Sequence, residues 1–353
     1  MSASESNSSQ IFRIVDASLN RAAEGLRFLE DTARFLLNDT AITEKLKTLR
    51  HTLVIGEWDF QKCLIQSRDS QGDVGANLEV EGSKDKKDMP SAIVANSRRV
   101  QEALRSLEET AKIACKKLPV SAGKYQQARF EIYTIEKELL ARFLRRDKAR
   151  CITGLYAIID TQALKGRNHS DIAKQIIRGG AKIIQLRDKI TIKKNLLPIA
   201  QELKNICTEN NVLFIINDAL DIALAVGADG LHVGQEDLPV SVARKLAPID
   251  MLIGCSVDNA AQAQKAIADG ADYVAVGAIF STPTKDTTVV GLDALRQVKQ
   301  STSVPLVAIG GITKNNLAEV KKAGADSIAI ISAILNADSP EKSTREIIKI
   351  FEV

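Results

Sequence analysis

The sequence predicts an α/β protein: a C-terminal (β/α)8 TIM barrel preceded by an all-α helical-bundle domain. Three observations predict it. Four Gly-Ala pairs, opening at Gly180, Gly227, Gly270 and Gly324, each stand just before a short apolar run. Glycine just past a helix takes the left-handed conformation that closes it, and the apolar run then reads as a buried strand. The pairs recur at intervals of 47, 43 and 54 residues. Each interval holds about two strand-plus-helix units, so four double units make the eight of a closed barrel. Residues 11–148 lack this alternation and read as long helices.

A chain of 353 residues suits two domains. Residues 1–10 are Ser-rich and polar; they read as a disordered N-terminus without the apolar core of a signal peptide. Helices are expected over 11–37, 40–66, 90–117 and 121–146, with a Gly- and charge-rich loop over 67–88. The first and third repeat one another at an offset of 78 residues: Glu24-Gly25-Leu26-Arg27-Phe28-Leu29-Glu30 against Glu102-Ala103-Leu104-Arg105-Ser106-Leu107-Glu108. Arg50 and Arg129 fall at nearly the same offset. A duplicated helical hairpin packed as a four-helix bundle is the simplest account. Within the repeat, Arg21, Glu24, Arg27 and Glu30 recur as Arg99, Glu102, Arg105 and Glu108. That stripe reads either as a solvated face of i,i+3 pairs or as an anion site between symmetry-related arginines, closed by Arg68 and Asp69 on the loop. The helical domain is expected over 11–150 and the barrel over 151–353.

Composition narrows the class. A content of 45% hydrophobic and 26% charged residues is that of a soluble globular protein. A net charge of +4 with few aromatics gives no argument for nucleic acid. No apolar run approaches the roughly 20 residues of a membrane span. Cys63, Cys115, Cys151, Cys207 and Cys255 form neither a disulfide framework nor a zinc spacing, which suits a reducing cytoplasm.

Barrel chemistry sits where strands end, so the polar residues at the strand ends point to the site. Strand one (155–159) ends at Asp160. Strand two (183–186) carries Gln185, Arg187 and Lys189 at alternate positions, which points all three into the barrel mouth as an anion-binding wall, unless the strand is a surface one. Strand three (212–216) ends in Asn217-Asp218, and strand four (231–233) runs into Gly234-Gln235-Glu236-Asp237. Either aspartate alone could cap the next helix; together, beside an Arg/Lys wall, they suit a Mg²⁺–diphosphate site, because Mg²⁺ takes one or two protein carboxylates and leaves room for phosphate. His232 reads as packed core rather than catalytic. Strand five (251–255) ends at Ser256. Strand six (273–277) leads into a loop with Thr282, Thr284 and Lys285, a lid donating to phosphate. Strand seven (305–309) ends in Gly310-Gly311 and strand eight in Ile331-Ser332, where barrels commonly hold a phosphate on backbone N–H groups.

The strings Gln185-Leu186-Arg187-Asp188-Lys189, Ile216-Asn217-Asp218, Gly230-Leu231-His232-Val233-Gly234-Gln235-Glu236-Asp237, Ser281-Thr282-Pro283-Thr284-Lys285 and Ile309-Gly310-Gly311-Ile312 together resemble the thiamine phosphate synthase family. The resemblance implies a Mg²⁺-dependent transferase of thiamine biosynthesis that joins a pyrimidine diphosphate to a thiazole phosphate and releases pyrophosphate. It implies pyrimidine-diphosphate contacts at Gln185, Arg187, Lys189 and Asn217, and Mg²⁺ ligands at Asp218 and Asp237. It further implies pyrophosphate contacts at Ser256 and Lys285, and a thiazole-phosphate pocket at Thr282, Thr284, Gly311, Ile331 and Ser332. Arg187, Lys189, Lys285 and Ser256 are then the catalytic set. Asn20-Arg21-Ala22-Ala23-Glu24-Gly25-Leu26-Arg27 and Asp73-Val74-Gly75 resemble a helical domain fused to this synthase in some bacteria. That likeness implies a second activity, an alternative kinase for the pyrimidine monophosphate, although no P-loop is present.

Two rival readings stand beside it: a thiazole tautomerase-like barrel, and a noncatalytic phosphate-binding barrel with a helical dimerisation module, hence a homo-oligomer. The first is implied to need a histidine beyond strand five, where this chain has Ser256-Val257-Asp258-Asn259. The second would be favoured by loss of a metal aspartate or of Lys285, and neither is lost.

Overall fold

Short apolar runs alternating with amphipathic helices bury both best when the sheet closes on itself. The computed structural model, which describes residues 3–54, 58–69, 88–113, 121–282 and 288–352, shows that closure. Strands β1 (Gly154–Asp160), β2 (Ile183–Arg187), β3 (Leu213–Asn217), β4 (Gly230–Val233), β5 (Leu252–Val257), β6 (Tyr273–Val276), β7 (Leu306–Ile309) and β8 (Ser327–Ile330) pair in that order, and β8 returns to β1. Every pairing is parallel. The α/β fold class and the barrel are as the sequence predicts.

Two compact units divide the chain, Met1–Leu144 and Arg145–Val353. The first holds α1 (Ala3–Asp31), α2 (Thr40–Val54), α3 (Trp58–Gln66), α4 (Met89–Ile113) and most of α5 (Ala122–Arg150). Around the barrel follow α6 (Thr161–Leu164), α7 (His169–Arg178), α8 (Lys193–Glu209), α9 (Leu220–Val226), α10 (Val240–Leu246), α11 (Ala260–Ala268), α12 (Gly291–Ser301), α13 (Leu317–Lys322), α14 (Ser332–Leu335) and α15 (Pro340–Glu352).

The Gly-Ala pairs do what their chemistry dictates. Gly180, Gly227, Gly270 and Gly324 have φ of +105°, +62°, +106° and +100°. The alanine after each donates its N–H to the carbonyl five residues back: Ala181 to Ile176, Ala228 to Ala223, Ala271 to Ala266, Ala325 to Val320. This is the bond that seals a helix end with a left-handed residue. In three of the four an aspartate follows. Asp229, Asp272 and Asp326 accept the backbone N–H of Phe214, Ile253 and Leu306, at the start of β3, β5 and β7, at 3.0, 2.9 and 2.9 Å. Each carboxylate also holds a cation from the helix that leads into the strand it binds: Lys204 of α8 at 2.9 Å, Arg244 of α10 at 2.5 Å and Lys299 of α12 at 2.7 Å. Asp272 takes a second, Arg145, at 2.8 Å. Side chains of the strands then alternate between an outer core against the helices and an inner cluster that includes Tyr156, Ile158, Ile183, Ile215, Leu252, Tyr273 and Val307.

In the helical unit, α1 packs closely along α4; a Cβ on Gly25 would lie 2.6 Å from Val100 Cγ2 and 3.0 Å from Asn96 O. The internal repeat is visible as one ion pair made twice. Glu30 receives Arg50 at 2.9 Å, and Glu108, 78 residues on, receives Arg129 at 3.0 Å. Both glutamates are buried, so the stripe of charges is not simply a solvated face. Lys112, against the cost of burial and with Arg129 and Arg105 added, pulls the Glu108 carboxyl down to about 2. Arg68 forms a two-bond pair with Asp16, and Arg13 donates to Asp69 O, so the expected closing residues are bound to α1 rather than to Arg21 or Arg99.

Several expectations shift. Helix α1 begins at Ala3, where disorder was expected over 1–10, and continues into a π-helical turn, Thr32–Leu36. The helix expected over 40–66 is described as α2 and α3, and α5 runs to Arg150, past the expected end at 146. Asp73-Val74-Gly75 and Cys115 lie outside the described residues. Among the described residues no helix is long and apolar enough to cross a membrane.

Replacing Asp272 strands two arginines and an N–H of β5. Asp272→Ala is expected to cost about 3 kcal/mol, the scale of a broken buried ion pair. Asp326→Ala, whose lysine partner is more exposed, is expected to cost less; urea unfolding of both variants decides this.

Candidate active site

Eight strands running one way deliver their C-terminal ends to one rim, so side chains remote in sequence become neighbours there. Asp160, Arg187 and Asn217 close β1, β2 and β3; Asp218 follows β3, and Asp237 lies in the turn after β4. Ser256 sits in β5, Thr282 beyond β6, Gly311 beyond β7, and Ile331 and Ser332 at the start of α14. Thr284 and Lys285 lie outside the described residues.

The centre of this rim is a pair of carboxylates. Asp218 holds φ of +60°, a left-handed conformation that is uncommon for any residue with a Cβ and is tolerated best by Asn and Asp. Its N–H donates to His232 O at 2.8 Å, which fixes the bend against β4. Burial, and then the neighbouring Asp237 carboxylate hydrogen-bonded to it, push the Asp218 carboxyl above its ordinary range, with the Lys189 ammonium acting the other way. Lys189 is ion-paired to Asp218. Asp237 is aimed by the Gly234 N–H at 2.8 Å, and a Cβ on Gly234 would crowd the same oxygen at 2.9 Å. Among the described residues no group of three or more His, Cys, Asp or Glu could form a metal cage. Asp218 and Asp237, side by side with the Asp218 carboxyl raised by burial and then by its neighbour, could offer two oxygens to a hard cation that takes its other ligands from water and phosphate, as Mg²⁺ does.

Arg187 stands beside them, ion-paired to Asp160 and one-fifth exposed. The second oxygen of Asp160 caps α6 through the Ala163 N–H at 2.9 Å. The arginine is therefore held in place while some of its five donors stay free for an anion. Asp188 accepts from Thr161 Oγ1 at 2.7 Å, and that hydroxyl also meets His169 Nε2 at 3.0 Å. Asp188 additionally binds the N–H groups of Ile190 and Thr191, which shapes the turn carrying Lys189.

Gln185 departs from expectation. It keeps the parity of Arg187, but it is buried below the rim, and its Nε2 donates inward to Tyr156 Oη at 2.8 Å. Tyr156 Oη meets Tyr273 Oη at 2.9 Å, Tyr273 Oη meets His232 Nδ1 at 3.2 Å, and His232 Nε2 meets Ser256 Oγ at 3.0 Å. His232 is thus the core residue expected, yet both ring nitrogens are engaged. Burial pushes its imidazole down to about 4. Sequence reading missed Tyr156 and Tyr273. The available signal was a tyrosine in each of two otherwise apolar strands, because a buried phenol must find a hydrogen-bond partner. Gly254 makes the room: a Cβ there would stand 2.0 Å from Tyr273 Cζ.

On the opposite side of the rim, Gly311 has φ of +65°, and a Cβ on it would lie 2.5 Å from Ser281 O. Phe280 N–H donates to Gly310 O at 3.0 Å and Asn316 Nδ2 to Gly311 O at 3.0 Å. The loops after β6 and β7 are thereby packed backbone to backbone.

Residues 155–334 match the family described as thiamine monophosphate synthase, and residues 13–138 match the ThiD2 family. The thiamine-phosphate synthase of Synechocystis sp. is 38% identical over 96% of this chain and 95% of its own length. That of Thermosynechococcus vestitus is 37% identical over 98% and 96%. Among solved structures, the thiamine phosphate pyrophosphorylase from Pyrococcus furiosus is 40% identical, with a TM-score of 0.54, over 57% of this chain and 97% of that one.

The depressed His232 value sets an acid limit. The unfolded chain takes this proton near the ordinary 6.5 and the folded chain only near 4, so stability falls as pH drops through that window, by about 1.4 kcal/mol per pH unit. The stability advantage of the native protein over His232→Gln is expected to shrink by about 2 kcal/mol between pH 7 and pH 5, read by urea unfolding at each pH.

Proposed function

The chain belongs to the thiamine-phosphate synthase family, and from that premise we propose how its barrel carries out the transfer. The enzyme condenses hydroxymethylpyrimidine diphosphate with thiazole phosphate to give thiamine monophosphate and pyrophosphate. The pyrimidine methylene C–O bond breaks with its electron pair leaving on the diphosphate, and the thiazole nitrogen closes on the methylene carbon. No proton need be removed, so the rim needs charge stabilisation more than a nucleophile–base pair.

The observation that carries this reading is the Asp218–Asp237 pair flanked by Lys189 and Arg187. The two aspartates would hold Mg²⁺, which when bound supplies positive charge to the departing diphosphate. Arg187 and Lys189 bind its oxygens, and Ser256 donates to the pyrophosphate. Gln185 and Asn217 orient the pyrimidine. Thr282, Thr284, Gly311, Ile331 and Ser332 receive the thiazole phosphate, and Lys285 joins Ser256 on the pyrophosphate.

For the helical unit the reading is a pyrimidine-phosphate kinase, supported by the ThiD2 match and by a cleft of about 780 Å³. Arg21, Arg98, Arg99 and Glu102 line it over an apolar floor with Leu140 and Leu144. Arg21 and Arg99 occupy equivalent positions of the internal repeat. Neither they nor Arg98 are ion-paired to a carboxylate among the described residues, which leaves three guanidinium groups for phosphate oxygens.

Asp218→Ala and Asp237→Ala are each expected to lower kcat/KM at least about 100-fold. Asp218→Asn, which removes a charge the fold opposes, is expected to hold or raise the metal-free Tm. Full turnover by either alanine variant would eliminate the metal site. Given ATP, pyrimidine monophosphate and thiazole phosphate, the full chain is expected to form thiamine monophosphate. The double variant Arg21→Ala/Arg99→Ala is expected to slow that route about tenfold or more while leaving synthesis from the preformed diphosphate unchanged. No product from the monophosphate would return the helical unit to a structural role.

A further inference from the structure

We propose that Tyr156, Tyr273 and His232 form a buried positioning chain that turns the Ser256 hydroxyl into a hydrogen-bond donor toward the rim and couples it to Gln185 across the barrel. The inference rests on the reading above that Ser256 and Gln185 contact substrate.

Direction in the chain follows from counting protons. The Gln185 amide nitrogen has only hydrogens to give, so Tyr156 Oη accepts from it at 2.8 Å. Tyr156 has one proton and spends it on Tyr273 Oη at 2.9 Å; Tyr273 in turn gives its own to His232 Nδ1 at 3.2 Å. A neutral imidazole that accepts at Nδ1 carries its hydrogen on Nε2, and Nε2 meets Ser256 Oγ at 3.0 Å. Ser256 therefore receives a hydrogen bond from beneath, and its own hydrogen is left for an acceptor above. An anionic oxygen is such an acceptor.

The surroundings keep the order one-way. Tyr156 and Tyr273 are fully buried and both phenols are pushed up by desolvation, so neither gives up its proton to water. The imidazole is buried, and with Nδ1 accepting from Tyr273 its ring hydrogen is left for Nε2. Tyr273 reaches the centre only because Gly254 on the adjacent strand has no side chain, and its ring lies 5.6 Å from that of His232. The chain crosses from β2 to β5 through side chains of β1, β6 and β4. Five elements of the barrel thus share one polar network.

The test is a double-mutant cycle in the full-length enzyme. Tyr273→Phe keeps the ring and deletes the link; kcat is expected to fall about tenfold. Added to Ser256→Ala, the same change is expected to do nothing more. Additive losses in the double variant, or full kcat in Tyr273→Phe, would overturn the chain; Tyr156→Phe serves if Tyr273→Phe does not fold. Long-range ¹H–¹⁵N spectra of the unsubstituted protein are expected to place the His232 proton on Nε2, and a proton on Nδ1 would overturn the stated direction. Full activity in Ser256→Ala would instead remove the assignment of Ser256 to substrate, a different failure from loss there combined with additivity.

Discussion

A carboxylate that accepts the first free N–H of a neighbouring strand, and is itself neutralised by a cation from the helix leading into that strand, recurs three times at the lower rim of this barrel. Asp229, Asp272 and Asp326 do this for β3, β5 and β7. Each pins the start of one strand to the start of the next, and in a parallel sheet the starts determine the finishes. The pairing of Asn217 with His232 at the upper rim is the far end of the β3–β4 registration. Packing at the base thus places the chemistry at the top, where loops are otherwise free to vary.

Such a base is legible because it is local and periodic. Gly-Ala-Asp before an apolar run names a helix end, a left-handed residue and a strand in three letters. The rim is legible for a similar reason, since Asn217-Asp218 directly follows an apolar run and Asp237 lies in the short polar turn after another. What escapes is anything decided across strands. Gln185 has the parity of Arg187, yet its amide goes down to Tyr156, a residue 29 positions earlier. The duplicated stripe shows Glu30 and Glu108 but not that each turns inward to an arginine of another helix. Period and spacing report which face a residue shares; they do not report who waits on the other side.

Charge at the rim is mixed in sign: Asp160 with Arg187 and Asp218 with Lys189 neutralise one another in part. In the proposed reading an incoming diphosphate would compete for cations already oriented, so little reorganisation would remain when charge develops on the leaving group. The raised Asp218 carboxyl shows where that arrangement is least comfortable, and the Mg²⁺ of the proposed reading would relieve it. Strain in the backbone falls at the same residue, which is where function can use it.

The 2.0 Å clearance between Gly254 and the ring of Tyr273 carries a consequence for descent. Any side chain at 254 demands a smaller one at 273, and the smaller one forfeits the phenol on which two other strands lean. Position 254 cannot drift alone. A side chain there is expected in related chains only where 273 is smaller, whereas glycine at 254 leaves 273 free to vary.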